Sequence, residues 1–157
     1  MADYAFLTAW RIAAPREEVF EVIHASERWP EWWDGVEEVV KLEDGDPEGR
    51  GSLGRYRWRS ALRYRLEFEM RITGVERPER MDGEAVGELS GTGRWRLFDD
   101  EGTTLVLFDW QVRTTRSWMN ALAPVARPVF RWNHDRLMRA GGYGLARRLG
   151  VELLSGG

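Results

Sequence analysis

Cysteine is absent from the sequence, which removes disulfides, thiol nucleophiles and thiolate metal sites together. Histidine is almost as scarce. With only His24 and His134, and no spaced His/carboxylate cluster on one helix face, a metal site would need ligands gathered from distant segments, so none is expected. No serine lies in a G-x-S-x-G elbow, and no ordered triad can be traced, so hydrolase chemistry is not indicated. No apolar run approaches the ~20 residues of a membrane-spanning helix. Arg127 breaks the richest stretch, Ala121 to Phe130, and Arg131 ends it. The first residues, Met1-Ala2-Asp3-Tyr4, lack the basic and apolar regions of a secretory signal, and cytoplasmic residence is the expectation. Neither sign of charge dominates. With 23 basic and 26 acidic residues the net charge is −3, so no overall field draws the chain to nucleic acid or to an anionic membrane.

Aromatic residues, by contrast, are abundant. Nine Trp, six Phe and four Tyr must be placed within 157 residues, a length that suits one core and one domain covering 1–157. Side chains this large and stiff suit a fold that encloses a cavity.

Periodicity gives the order of elements. Phe6, Thr8, Trp10 and Ile12 alternate through a first strand, Tyr4 to Ile12. Pro15 then suits the first turn of a helix, Glu17 and Glu18 favour its positive end, and Val19, Phe20 and Ile23 form its apolar stripe to about Ser26. Arg28 to Gly35 packs Trp29, Trp32 and Trp33 around Pro30, which predicts a helical turn closing one end. Strands are predicted at Val36 to Leu42, Gly54 to Arg59, Arg63 to Val75, Gly83 to Leu89, Gly93 to Phe98 and Thr103 to Arg113, separated by Gly-, Pro- and Asp-rich reversals. A helical segment follows from Ser117 to Gly150. Because Pro124 and Pro128 disfavour a helix interior, its main part is expected from Pro128 to Leu149. Its sheet-facing stripe is predicted as Val129, Asn133, Leu137, Ala140, Gly141, Gly144 and Leu145.

The strands separate two faces. Arg55, Arg57, Arg59, Arg65, Glu67, Glu69 and Arg71 alternate with Tyr56, Trp58, Tyr64, Leu66, Phe68, Met70 and Ile72, and Arg94, Arg96 and Asp109 fall on the wet side opposite Trp95, Phe108 and Trp110. The wet ladder reads as a solvated face with weak cross-strand ion pairs.

This order, strand, short helix, helical turn, six strands and long helix, resembles the START-like or SRPBCC superfamily of helix-grip domains. That group includes polyketide cyclases and dehydrases, lipid-transfer proteins and birch-pollen-type allergens. Ala14-Pro15-Arg16-Glu17-Glu18-Val19-Phe20, Trp29-Pro30-Glu31-Trp32-Trp33, Gly102-Thr103-Thr104 and Trp132-Asn133-His134-Asp135 through Gly144-Leu145 carry the likeness, which is nearest the polyketide-cyclase-like branch. The resemblance implies an α+β helix-grip fold. In it, a curved seven-stranded antiparallel sheet surrounds a long C-terminal helix, with two short helices between strands 1 and 2 and a cavity for a hydrophobic molecule.

The expected partner is therefore a small hydrophobic molecule such as a lipid, polyketide or aromatic metabolite. Candidate lining residues are Trp10, Tyr56, Trp58, Tyr64, Phe68, Trp95, Phe108, Trp110, Val129, Asn133, His134 and Leu137. Asn133 could fix a ligand oxygen or bond to the sheet. His134 could titrate near neutral pH as a general acid or base, or pair with a nearby carboxylate. Asp109 becomes a candidate base only if a bulge turns it inward. His24 is expected to meet the exposed carbonyls ending the first helix. Gly49-Arg50-Gly51-Ser52-Leu53-Gly54 matches G-x-G-x-x-G, but it follows an acidic turn and precedes a strand. It reads as a turn or bulge, and no cofactor is expected. Three functions stay open: a carrier or binding protein, a cofactor-independent cyclase or dehydratase using His134, a pocket tyrosine and Asp109, and an interaction module presenting Trp29 to Trp33.

Overall fold

The computed structural model describes residues 3–60, 64–114 and 123–156; the predicted starts at Arg63 and Ser117 lie outside them. In chain order the elements are β1 (Asp3–Ile12), α1 (Arg16–His24), a 3-10 turn (Ser26–Glu31), β2 (Val36–Glu43), β3 (Leu53–Arg59), β4 (Arg65–Glu76), β5 (Arg80–Gly87), β6 (Leu89–Asp100), β7 (Thr103–Thr114), α2 (Ala123–Leu149) and β8 (Leu153–Gly156). All eight strands join one antiparallel sheet in the order β2-β3-β4-β5-β6-β7-β1-β8. Hairpins link β2 through β7, and β1 returns beside β7 over ten consecutive pairs, Asp3 with Arg113 to Ile12 with Thr104.

The two-faced pattern explains the layering. Arg55, Arg57 and Arg59 on β3 stand opposite Glu69, Glu67 and Arg65 on β4, while Tyr56 and Trp58 stand opposite Phe68 and Leu66 on the other face. Glu37 of β2 completes the wet ladder with Arg57 and Arg65, and the hydrogen bond from Arg65 holds its carboxyl below the usual carboxylate range. The dry face meets α1, the 3-10 turn and α2. There Trp10, Ile12, Val19, Phe20, Ile23, Trp33, Leu97, Val106, Met138 and Leu145 are almost wholly buried.

Several boundaries differ from the sequence reading. The sheet has an eighth strand, β8, which pairs with the end of β1 at Trp10 to Ile12. The fifth strand ends at Gly87 rather than Leu89, because Gly87 adopts φ +121°, a turn conformation that favours glycine. Leu89 instead opens β6. Helix α2 starts at Ala123, one turn before Pro128, which sits inside it without an amide to donate.

The α2 stripe differs from the predicted one in its first half, where Phe130, His134 and Met138 are buried one residue after Val129, Asn133 and Leu137 and Val129 is 40% exposed; Gly141, Gly144 and Leu145 are buried as predicted, together with Gly142 and Ala146. The second half rests on the Trp-rich turn. A Cβ on Gly141 would lie 2.5 Å from the Trp33 ring, one on Gly142 would lie 3.0 Å from Trp10, and one on Gly144 would collide with the Trp32 carbonyl oxygen. These glycines let the helix backbone rest directly on tryptophan. Trp33 Nε1 then donates to the Leu137 carbonyl at 2.9 Å.

Gly144→Ala is therefore expected to destabilise the protein by about 1–3 kcal/mol through overpacking, despite alanine's advantage of about 1 kcal/mol in a helix. Urea unfolding measures this, and an unchanged or raised midpoint would contradict the close contact.

A two-chambered candidate ligand site between sheet and helix

Two small apolar chambers lie on the dry face, the outer one against α2 and the inner one against Trp29 of the 3-10 turn. The inner one, about 30 Å³, is walled by Trp29, Tyr56, Phe68, Met81, Trp95 and Phe108. The outer one, about 70 Å³, is walled by Tyr4, Phe6, Tyr64, Leu66, Leu89 and Val112 from the sheet side and by Phe130, Asn133, His134 and Leu137 from α2. Trp58 and Trp110 belong to both walls and so divide one chamber from the other. Their rings stack at 6.3 Å and 24°, with Phe68 packed against Trp58 at 5.5 Å and Trp110 at 5.8 Å. Tyr56, Met70, Ile72 and Met81 separate the inner chamber from a groove of about 510 Å³ beside His24, Ser26 and Lys41.

Strand parity places these side chains. Tyr4 and Phe6 share the inward face of β1 with Trp10, and Phe130 stands one helical turn before His134. Those spacings are the signal that sequence reading overlooked for Tyr4, Phe6 and Phe130. Among the predicted lining residues only Trp10 and Val129 border neither chamber. Trp10 is fully buried against Trp33 and Trp95, and Val129 faces outward.

His134 is 8% exposed and stacks on Phe6 at 3.8 Å and 13°. Its Nδ1 lies 3.3 Å from Asp135 Oδ1. A carboxylate only accepts, so the neutral ring carries its proton on Nδ1 and leaves a lone pair on Nε2. That nitrogen is buried and has no hydrogen-bond partner among the described residues, like Tyr4 Oη and Trp58 Nε1 on the same chamber's wall. Buried polar atoms are ordinarily paired. Burial holds the His134 pKa below its usual value, opposed by the Asp135 carboxylate and assisted by the Arg131 guanidinium. Burial also raises Tyr4, while Arg127, 4.8 Å above its ring, acts against that shift. The chamber wall thus combines flat apolar surface with an imidazole acceptor, a phenol and an indole donor.

Other candidates take structural roles. Asn133 Oδ1 accepts from Ser60 Oγ at the end of β3 at 3.2 Å, a bond to the sheet side. Asp109 stays on the outer face, because β7 keeps register with β1 and β6 without a bulge; Gln111 Nε2 donates to it. It is not a chamber base. His24 bonds through Nε2 to the Glu48 carbonyl at 2.7 Å, across to the β2–β3 loop and not to the end of α1. Tyr56 donates to Ser26 Oγ at 2.9 Å, and burial pushes its phenol up to about 12. Gly49 to Gly54 form a turn entering β3, not a strand-to-helix phosphate cradle. Trp29, Trp32 and Trp33 are all at most 5% exposed, which removes them as an interaction patch. Among the described residues no group of three His, Cys, Asp or Glu side chains is placed to hold a metal, and no helix is long and apolar enough to cross a membrane.

A curved antiparallel sheet closed on a long C-terminal helix, with apolar space between them, is the helix-grip fold. The chain belongs to the family described as polyketide cyclase / dehydrase and lipid transport, whose model matches residues 7–150. Similar solved structures include the Zhui aromatase/cyclase from Streptomyces sp. R1128, at 17% identity and TM-score 0.77, covering 95% of this chain and 94% of that one. A START superfamily protein from Mycobacterium smegmatis gives 15% and 0.74, covering 93% and 97%. The di-domain ARO/CYC BexL from the BE-7585A biosynthetic pathway gives 18% and 0.73 over 92% of this chain, which spans only 49% of that protein. No curated protein matches the chain.

Because the folded pKa of His134 lies below the unfolded value near 6.5, the unfolded chain takes up the proton first as pH falls. Stability should therefore decline below pH ~6.5, by up to about 1.4 kcal/mol per pH unit until the folded pKa is reached. His134→Phe should flatten that slope. Chemical denaturation of both proteins between pH 7 and 5 measures it, and parallel slopes would contradict a buried neutral imidazole.

Proposed function

We propose that this protein binds a small hydrophobic molecule, a lipid, polyketide or aromatic metabolite, in the space between the sheet and α2. The observation that carries this reading is the outer chamber, whose wall is apolar and aromatic yet includes three buried polar atoms without partners among the described residues, His134 Nε2, Tyr4 Oη and Trp58 Nε1. Ligand pockets typically combine an apolar lining with a few polar groups that fix orientation. Family membership supports the same reading. An apolar cavity of about 150 Å³ is enough for benzene, and the outer chamber is about half that size. The two chambers together give only about 100 Å³, so binding requires the Trp58–Trp110 partition to swing aside and widen the space beyond a simple joining of the two.

A second reading is favoured by the unpaired lone pair of His134. In a cyclase or dehydratase the chamber would align a folded substrate while Nε2 removed a proton from it and the Tyr4 phenol hydrogen-bonded to the oxygen gaining charge. His134→Phe keeps a flat aromatic ring and removes the base. Turnover of a candidate polyketide substrate that survived this change would remove His134 from the reaction.

Native mass spectrometry of protein purified from its own host, followed by denaturation, is expected to release a small hydrophobic molecule. Absence of such a molecule, together with no saturable binding of an apolar fluorescent dye, would overturn the reading. Trp58→Ala is expected to cost about 3–5 kcal/mol of stability while raising dye affinity several-fold by merging the chambers. Unchanged dye affinity in the folded variant would show that Trp58 is no partition.

A further inference from the structure

The charges of the chain are placed unevenly. Helix α2 carries six arginines and one carboxylate, Asp135, a net charge of +5, so the rest of a chain whose net charge is −3 carries −8. A local field of one sign attracts a partner that the net charge alone would not. Contacts within the chain use little of it. Arg148 pairs with Glu31 at 3.0 Å and Arg127 donates to the Asp3 carbonyl at 2.6 Å. Arg131, Arg136, Arg139 and Arg147 are exposed and have no ion pair among the described residues.

Three of these arginines share a ridge with apolar side chains. At about 100° per residue, Val129, Trp132, Arg136, Arg139, Tyr143 and Arg147 fall within about a quarter of the helix circumference, on the side opposite the buried His134, Met138 and Leu145. Val129 is 40% exposed, Trp132 50% and Tyr143 60%. The Arg136 guanidinium lies 5.6 Å from the centre of the Trp132 ring, so charge and indole face solvent together. The ridge is about 27 Å long at about 1.5 Å per residue, and no acidic side chain belongs to it. Asp135 stands to one side, beside His134 Nδ1.

We propose that this ridge docks on the surface of a bilayer containing anionic lipid, with α2 lying in the plane of the headgroups. Clusters of about four to eight basic residues on one helix suit anionic lipid, because each is drawn to the surface without needing a partner of fixed geometry. A laterally continuous negative surface meets every arginine of a straight ridge at once, whereas an acidic protein would have to be shaped to it. Tryptophan and tyrosine favour the headgroup level, where part of the ring is in apolar surroundings and part is wet. Trp132 and Tyr143 are placed for that level, with Arg136, Arg139 and Arg147 among the phosphates. The opposite side of the same helix walls the outer chamber, so docking sets that chamber about one helix diameter, ~10 Å, from the lipid. The docking stands whether or not a ligand occupies the chamber.

Co-sedimentation of the full chain with vesicles at low salt tests this, with circular dichroism verifying the fold of each variant. The protein is expected to bind vesicles of equal parts phosphatidylcholine and phosphatidylglycerol, to bind phosphatidylcholine alone far more weakly, and to be released as salt is raised. Replacing both arginines, Arg136→Gln with Arg139→Gln, is expected to weaken binding at least tenfold, and Trp132→Ser several-fold. Arg55→Gln with Arg94→Gln removes as much charge from the exposed face of the sheet and is expected to bind like the wild type. No binding to the anionic vesicles overturns the proposal and leaves an acidic protein as the partner of the ridge. Equal binding to neutral vesicles overturns it as well, since charge then plays no part. So does binding that survives Arg136→Gln with Arg139→Gln, or that falls equally in Arg55→Gln with Arg94→Gln.

Discussion

The contact between helix α2 and the Trp-rich turn sets the shape of the interior. Over Gly141, Gly142 and Gly144 the helix has no side chains to hold it away, so its backbone rests on Trp33, Trp10 and the Trp32 carbonyl. One turn earlier Trp33 donates to the carbonyl of Leu137, fixing the helix along its axis as well as across it. Towards its N-terminus the same helix presents Phe130, His134 and Leu137, which hold it off the sheet and enclose the outer chamber. One end of the helix is clamped and the other stands away. The cavity follows from that difference.

Within the cavity, aromatic rings act as both filling and partition. Trp95 and Phe108 stack at 4.2 Å, Phe108 and Trp110 at 5.6 Å, and Tyr56 and Phe68 at 5.6 Å, forming a wall whose dispersion contacts resist collapse. Trp29 and Trp33 donate to main-chain carbonyls in the clamped region, where Trp10 Nε1 and Trp32 Nε1 lack hydrogen-bond partners among the described residues, as do Trp58 Nε1, Tyr4 Oη and His134 Nε2 beside the outer chamber. Burial favours the neutral form of His134, so its free nitrogen offers an acceptor in apolar surroundings. That combination suits recognition of a hydroxyl or removal of a proton, and both uses are known possibilities for a fold that serves carriers and enzymes alike.

The sheet was legible because its strands alternate cleanly between charge and aromatic residue. The ladder from Arg55 to Arg71 marks both the faces and the register that the structure adopts. The resemblance carried by the Trp-rich turn and the last helix supplied the helix-grip architecture, and the family match supports it. Periodicity misread the first half of α2, where the predicted stripe runs one residue early and Val129 was placed inside, but it set Gly141, Gly144 and Leu145 on the inward face that the structure buries. The fifth strand was misplaced because Gly87 and Gly91 both suit a reversal, and only backbone conformation distinguishes them. β8 is four residues long, too short for alternation to reveal. Tyr4 and Phe6 share parity with Trp10, but their proximity to His134 is a tertiary contact that no local pattern encodes.

The most direct test of a ligand space divided by Trp58 and Trp110 is the indole N–H spectrum of the nine tryptophans during titration with a small apolar aromatic compound. The account predicts saturable shifts of the Trp58 and Trp110 signals, with the Trp33 signal, tied to the Leu137 carbonyl, left in place. Shifts confined to the half-exposed Trp132 on the outer side of α2, or no saturable shift at all, would contradict it.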